Sequence, residues 1–396
     1  MATSTPRAAI VAAARTAIGT ARKGTLANLE AAELAKPVVS AAIERSGLDA
    51  EDFDELVLAE VGQGGGDMAR YVAVDLGLTH LPGMALNRQC ASSLSAVAVG
   101  AAQIAAGMSR AVLAGGTESL STAPIARKRK PFTTGKEPGD YADPWFSYSH
   151  PPTHDAPAMD MSITVAHNCA LRFGISRADQ DEWALRSHQR AVKAIDAGSF
   201  VEEIVPIAVP QSDGAITIFA VDEHPRRETT AEVLAGLKVL HPEIDGFTVT
   251  AGNSSGLNDA AAMVALAAPG NRADRMAAVL SWASVGVAPS QTGAGPVTAI
   301  PKALELAGRK IEDVALFEIN EAFAAQAVAC TRELGLDEEI VNVYGSGISL
   351  GHPIAATGAR MVTSAIYELR RRGGGIGVLS MCAGGGMGTA MVIEVD

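Results

Sequence analysis

Seven apolar runs of strand length recur along the chain, and stretches of helical length, several rich in alanine, fall between most of them. The runs are AAIVAA, DELVLAE, RAVLAGG, AAVLSWASVGV, VALFEIN, IGVLSMC and TAMVIEV; the clearer helical stretches span 31–45, 92–106, 177–197, 296–306 and 353–371. Strands this continuously apolar must be covered on both faces, so alternation with helices predicts an α/β protein with largely parallel sheets. At 396 residues the chain also exceeds the roughly 250–300 residues that one hydrophobic core supports. Two or more packed units are expected.

Composition removes several function classes. Hydrophobic residues make up 48% and aromatics 4%, with 40 glycines, which suits helices packed closely on sheets and leaves no room for a disordered chain. A formal charge of −12 offers no general basic field for nucleic acid, so any polyanionic ligand must be met by a local patch. The four cysteines, Cys90, Cys169, Cys330 and Cys382, are too few and too scattered for a disulfide framework, and no CxxC pair suggests a metal site. A reducing compartment follows. Arg7 and Arg15 interrupt the apolar N-terminal run, so neither a signal peptide nor a membrane span is expected, and the C-terminal IEVD is no peroxisomal tripeptide. The expected location is the cytoplasm.

One stretch breaks the rhythm. Positions 123–161 hold prolines, the basic run Arg127, Lys128, Arg129, Lys130 and the aromatic-bearing YADPWFSYSHPPTH, with no period of strand or helix. A long irregular segment inside a compact protein is commonly a functional loop, so 123–247 reads as an insertion capping the sheet. Around it the chain repeats weakly. A turn with Cys90 leads into a helix and the strand SRAVLAGGTES; a turn with His352 leads into a helix and GGIGVLSMCAGGG. The expected division is a first half, 1–122 with 248–275, and a second half, 276–396. Face-to-face packing of duplicated halves would bring equivalent turns together at the carboxyl ends of the strands.

Cys90, His352 and Cys382 at such turns, and Asn320 at a strand end, can do chemistry. Cys90, in NRQCASSLSA, precedes a helix whose dipole would lower a thiol pKa, making it a candidate nucleophile; the alternative is a buried core cysteine. His352, in SLGHPIAATGAR, is followed by Pro353, read as the first helical position, which would expose the imidazole to a cleft as a general base or oxyanion donor; the alternative is a capping or surface histidine. Glu318, Asn320 and Glu321 end a buried strand and read as site lining, since uncompensated burial elsewhere would be costly, although Asn320 is also a plausible helix cap. Cys382 falls in the glycine turn SMCAGGGMG, where small neighbours would leave its sulfur accessible, or where it is simply a small hydrophobe.

Taken together the chain resembles a thiolase, of the acetyl-CoA acetyltransferase and 3-ketoacyl-CoA thiolase type. The resemblance runs nearly end to end, through RTAIG, NRQCASSLSA, LAGGTESLS, ISRADQDEWALRSHQRA, TVTAGNSSGLNDAAA, NEAFA, GHPIAATGAR and CAGGGMG. It implies duplicated α/β/α halves forming five layers, with an inserted loop domain. It implies that Cys90 carries the acyl group as a thioester, that His352 deprotonates it, and that Cys382 is the acid/base at the α-carbon of acetyl-CoA. Asn320, through a water, and His352 would stabilise the enolate oxygen, and the backbone N–H groups of Cys90 and Gly384 the thioester oxyanion. Coenzyme A is then substrate or product, with no permanently bound cofactor and no metal. Ser255 would lie near its pantetheine, Arg226 near its nucleotide and Met161 beside the acyl group; the basic run 127–130 is a second candidate for the nucleotide. Homodimers or homotetramers and a place in fatty acid metabolism, including β-oxidation, are further implications.

Where the family commonly has Cys-Gly-Ser-Gly this chain has Cys90-Ala91-Ser92-Ser93, expected to crowd the pocket. A typical His-Met-Gly is here Asp160-Met161-Ser162, the usual Asn-Gly-Gly before the GHP turn is Tyr344-Gly345-Ser346, and the loop EVGQGGGDMAR is short. These departures bear on acyl-chain preference. A β-ketoacyl synthase shares the architecture but resembles a Cys-His-His pattern, and NEAFA holds the place of its second histidine. A dinucleotide-binding oxidoreductase would need a glycine motif in the first strand-turn-helix, with an acidic residue about 20 positions on. A catalytically silent CoA-binding protein would have no use for all four candidates.

Overall fold

The computed structural model describes residues 8–144, 148–270 and 273–396; Arg7, the Trp145–Phe146 part of the insertion and positions 271–272 lie outside the described residues. The first half runs β1 (Ala8–Arg15), the two-residue β2 (Gly19–Thr20), α1 (Ala31–Ser46), β3 (Glu55–Ala59), α2 (Met68–Asp75), β4 (Gly83–Leu86), α3 (Ser92–Ala105) and β5 (Ala111–Ser119). The insertion pairs β6 (Arg127–Arg129) with β7 (Tyr141–Pro144) and β8 (Ile207–Pro210) with β9 (Ile216–Phe219), and carries α4 (Asn168–Phe173), α5 (Arg177–Asp196) and α6 (Ala231–Ala235). The first half then resumes with β10 (Asn258–Ala267). The second half follows as β11 (Ala277–Gly286), α7 (Gly295–Ala307), β12 (Val314–Ile319), α8 (Ala324–Glu333), α9 (Thr357–Arg371), β13 (Gly375–Ala383) and β14 (Met387–Val395).

The strand orders make the duplication visible. The first half is ordered β4-β3-β5-β10-β1 and the second β12-β13-β14-β11, with Val341 bridged in parallel to Phe317 outside β12, the place β4 takes beside β3. Ala8–Ile10 of β1 pair with β11, joining the halves edge to edge. The sheets are mixed rather than largely parallel. β10 runs antiparallel to β1 and β5, and β14 antiparallel to β11 and β13. β14 reverses because only a short turn joins it to β13, too short for a parallel crossover.

Period-2 alternation sorts each strand's side chains between two layers. In β3, Leu56 and Leu58 pack outward with α1, while Val57 and Ala59 pack inward with α3. In β13, Val378 packs outward with α7 and α8, and Leu379 and Met381 inward with α9. The helices α3 and α9 therefore lie side by side between the sheets, giving five layers: helix, sheet, paired helices, sheet, helix. Gly358 permits the close approach: a Cβ there would lie 2.3 Å from the Leu94 backbone nitrogen. Among the described residues no helix is long and apolar enough to cross a membrane.

Three local readings change. NDAAAMVALA, not read as a strand, is β10, the fully buried partner of β1 and β5. α9 begins at Thr357 rather than Pro353, because a separate turn intervenes. Cys382 lies inside β13, opposite Gly388, rather than on the turn.

Candidate active site

The turn between β4 and α3 is laced by its own polar groups. Ser92 Oγ accepts from the Arg88 N–H at 2.7 Å and donates to the Gln89 carbonyl at 2.5 Å. Asn87 Oδ1 accepts from the Gln89 N–H at 2.9 Å, and Gln89 is held at φ 52°, a left-handed conformation uncommon for a side chain of this kind. Cys90 follows, half-buried. The Gly384 N–H donates to its sulfur, yet burial pushes the thiol up to about 11. The lowering expected from the helix terminus is overturned: α3 starts two residues later, and desolvation outweighs the donors. Ser93, expected to crowd the pocket, instead turns its hydroxyl to the Ala359 N–H at 3.0 Å and ties α3 to α9.

His352 is packed, 6% exposed, rather than open to a cleft. Its backbone N–H donates to Asn258 Oδ1 at 3.0 Å, and its Nδ1 lies 2.7 Å from Thr357 Oγ1. The Thr357 hydroxyl spends its only hydrogen on the Pro353 carbonyl at 2.8 Å. Nδ1 must therefore be the donor in the His352–Thr357 pair, which leaves Nε2 with a free lone pair. Nε2 has no partner among the described residues. Burial, assisted by the Arg360 charge, holds the imidazole down to about 3, so it is neutral at physiological pH.

Asn320 is fully buried beyond the end of β12, its N–H bonded to the Ser380 carbonyl at 2.9 Å, and neither polar atom of its amide has a partner among the described residues. Its neighbours are different. Glu318 pairs with Arg360 at 3.1 Å, and Glu321 accepts from Trp183, Ser187 and Asn342. Of the three polar residues read as site lining, only Asn320 has buried side-chain atoms without a partner among the described residues. Cys382, 2% exposed, is not the open thiol expected; it packs with Val165 and Ala322, against Met161 and Phe323. Burial raises its pKa well above the usual thiol value, and a Cys90 thiolate would raise it further.

The family model described as "Thiolase, N-terminal domain" matches residues 8–269, and "Thiolase, C-terminal domain" matches residues 273–395. The chain belongs to the thiolase family. It is 41% identical to the acetyl-CoA acetyltransferase of Rhizobium meliloti, with 99% of each chain covered, and 39% identical to the 3-ketoacyl-CoA thiolase of Bacillus subtilis, with 98% and 99% covered. The crystal structure of the Bacillus anthracis acetyl-CoA acetyltransferase superposes with a TM-score of 0.91 at 40% identity, each chain fully covered. Human mitochondrial 3-ketoacyl-CoA thiolase gives 0.90 at 36% identity, with 98% and 99% covered.

In this thiolase the remaining candidates lie in the insertion, apart from Ser255, which follows it. Met161 opens a π-helical turn, Ser162–His167, and touches the Cys382 cluster. Ser255 bonds the Ala322 carbonyl through its N–H at 3.0 Å, which sets it one step from the same cluster. Arg226 is exposed and lines a cavity of about 340 Å³ with His188, Lys193 and Arg227. Arg227 is paired with Asp196, whereas no ion pair engages Arg226 among the described residues. The run 127–130 lies in the exposed β6 hairpin. Two positioning side chains, Asn258 and Thr357, were missed. Thr357 stands five residues after His352, a spacing that meets only because a turn precedes the helix.

Proposed function

We infer that this thiolase transfers acyl groups between coenzyme A and acetyl-CoA through a Cys90 thioester. The observation that supports the reading is that Cys90 and Cys382, one from each half, interact electrostatically and that His352 is a neutral imidazole with a free Nε2. In the first half-reaction the Cys90 sulfur attacks the acyl-CoA carbonyl while Nε2 takes its proton; CoA leaves and receives that proton as it becomes a thiol. The N–H groups of Cys90 and Gly384 face the oxyanion. In the second, Nε2 takes the proton of the Cys382 thiol, and the thiolate so formed removes a proton from the α-carbon of acetyl-CoA. The enolate, held by Asn320 through a water and by the protonated Nε2 of His352, attacks the Cys90 thioester, and Cys90 departs and recovers its proton from Nε2. Cleavage of a 3-ketoacyl-CoA by CoA is the reverse. A high Cys382 pKa serves this role, since a weakly acidic thiol has a strongly basic thiolate.

We further propose that Ser255 meets the pantetheine, Met161 the acyl group and Arg226 the nucleotide, because an acidic protein needs an unengaged local cation for a polyanion. The division into 1–122 with 248–275, 123–247 and 276–396, assembly as a homodimer or homotetramer, a cytoplasmic location and service in β-oxidation complete the reading.

Acetyl-CoA should add the mass of one acetyl group to a peptide containing Cys90. Cys90→Ala should abolish both this label and turnover, and normal thiolysis by that variant would refute the assignment. Cys382→Ala should still be acetylated but fail at carbon–carbon bond turnover.

A further inference from the structure

Asp160 caps the π-helical turn that carries Met161. Its Oδ1 accepts from the Ser162 N–H at 3.0 Å and the Ser162 hydroxyl at 2.6 Å, and the Thr164 N–H reaches the Asp160 carbonyl at 3.1 Å. The second oxygen is taken from outside the turn: His241 Nε2 lies 2.8 Å from Oδ2. His241 Nδ1 faces Glu243 at 2.7 Å. A carboxylate has no hydrogen to give, so both ring nitrogens donate and the imidazole is a cation between two anions. The ring is also wedged edge-on against Phe247, 5.0 Å away, whose own face stacks on His167 of the same π turn at 4.8 Å. Ion pair and aromatic stack thus hold the turn from both ends. Met161 sits directly after the capped aspartate and packs against Val165, Ala322 and Cys382.

We propose that the Asp160–His241 pair is a specificity clamp, holding Met161 against the acyl pocket and so limiting the length of chain that Cys90 accepts. The proposal rests on the thiolase reading of that pocket. A methionine is pliable and would yield to a longer chain if its backbone could shift; the clamp removes that shift. Asp160 and His241 are therefore positioning residues.

The test compares thiolysis of four-carbon and eight-carbon 3-ketoacyl-CoA by wild type, His241→Ala, His241→Gln and Asp160→Ala. The eight- to four-carbon ratio of kcat/KM should rise about tenfold in His241→Ala and Asp160→Ala, through a lower KM for the longer substrate. His241→Gln, which keeps a donor for Asp160, should stay near the wild-type ratio. Cys90 acetylation by acetyl-CoA should be within about twofold of wild type in His241→Ala. An unchanged ratio in the two alanine variants, or an equal loss on both substrates, overturns the clamp. Failure of wild type to acetylate Cys90 would instead overturn the thiolase reading.

Discussion

At Cys90 and His352 burial decides the protonation state, and it pushes both groups toward neutrality. The resting pair is thiol and imidazole, so a proton moves only as the sulfur attacks. In the proposed acylation the base is the unprotonated ring, and its lowered pKa would keep it competent in acid: single-turnover acetylation of Cys90 should show a histidine limb near pH 3, where an unperturbed ring would place it near 6.5. A midpoint near 6.5 would contradict the buried geometry. Thr357 fixes which nitrogen keeps its lone pair. Thr357→Val keeps the shape and removes the acceptor for Nδ1–H, and should slow acetylation at least about tenfold, within the range general-base catalysis contributes. Cys90 and His352 could be singled out in the sequence because each sits at a glycine-rich or helix-starting turn, whereas Cys382 lies within β13 and nothing in the sequence marked Thr357. Their electrostatics were not, since helix polarity is a local property while desolvation depends on everything that packs around the site.

Among the elements, strands rich in valine, leucine and isoleucine declared themselves, whereas β10 did not. Its alanines favour helix in isolation, and it is the pairing with β1 and β5 on either side that makes it a strand. α9 was read four residues too long at its start because proline so commonly opens a helix. The turn joining β13 to β14 shows that its glycines are not equivalent. Gly385 and Gly386 have φ of 93° and 81°, and a Cβ on Gly386 would lie 2.2 Å from the Val287 carbonyl oxygen; at Gly384 the nearest atom would be 3.4 Å away, an ordinary contact. Gly384→Ala should therefore fold normally and, since its N–H remains, still support acetylation. Gly386→Ala should lower the melting temperature by several degrees, as expected for a loss of about 1–3 kcal/mol at a strained backbone position. Thermal melts of the two variants check the contrast.

For the molecule as a whole, the insertion is joined to the first half through a charge taken out of water. Arg15, at the end of β1, bonds Glu203 at 2.6 Å and Asp222 at 2.8 and 2.9 Å, and Glu203 also accepts from Ser364 of α9 at 3.0 Å. Arg15→Met should leave two buried carboxylates without their cation and cost about 3–5 kcal/mol, read as a lower urea midpoint. Strand–helix alternation and length foretold an α/β protein of more than one unit, but nothing in the spacing of Arg15, Glu203 and Asp222 foretold that they meet. The duplication has a consequence for descent. Cys90 follows β4, and His352 follows the bridge at Val341 that stands in β4's place, so the proposed nucleophile and the proposed base fall on corresponding segments of two copies of one unit. Two identical copies would present either paired sulfurs or paired imidazoles there, and neither could run this exchange alone.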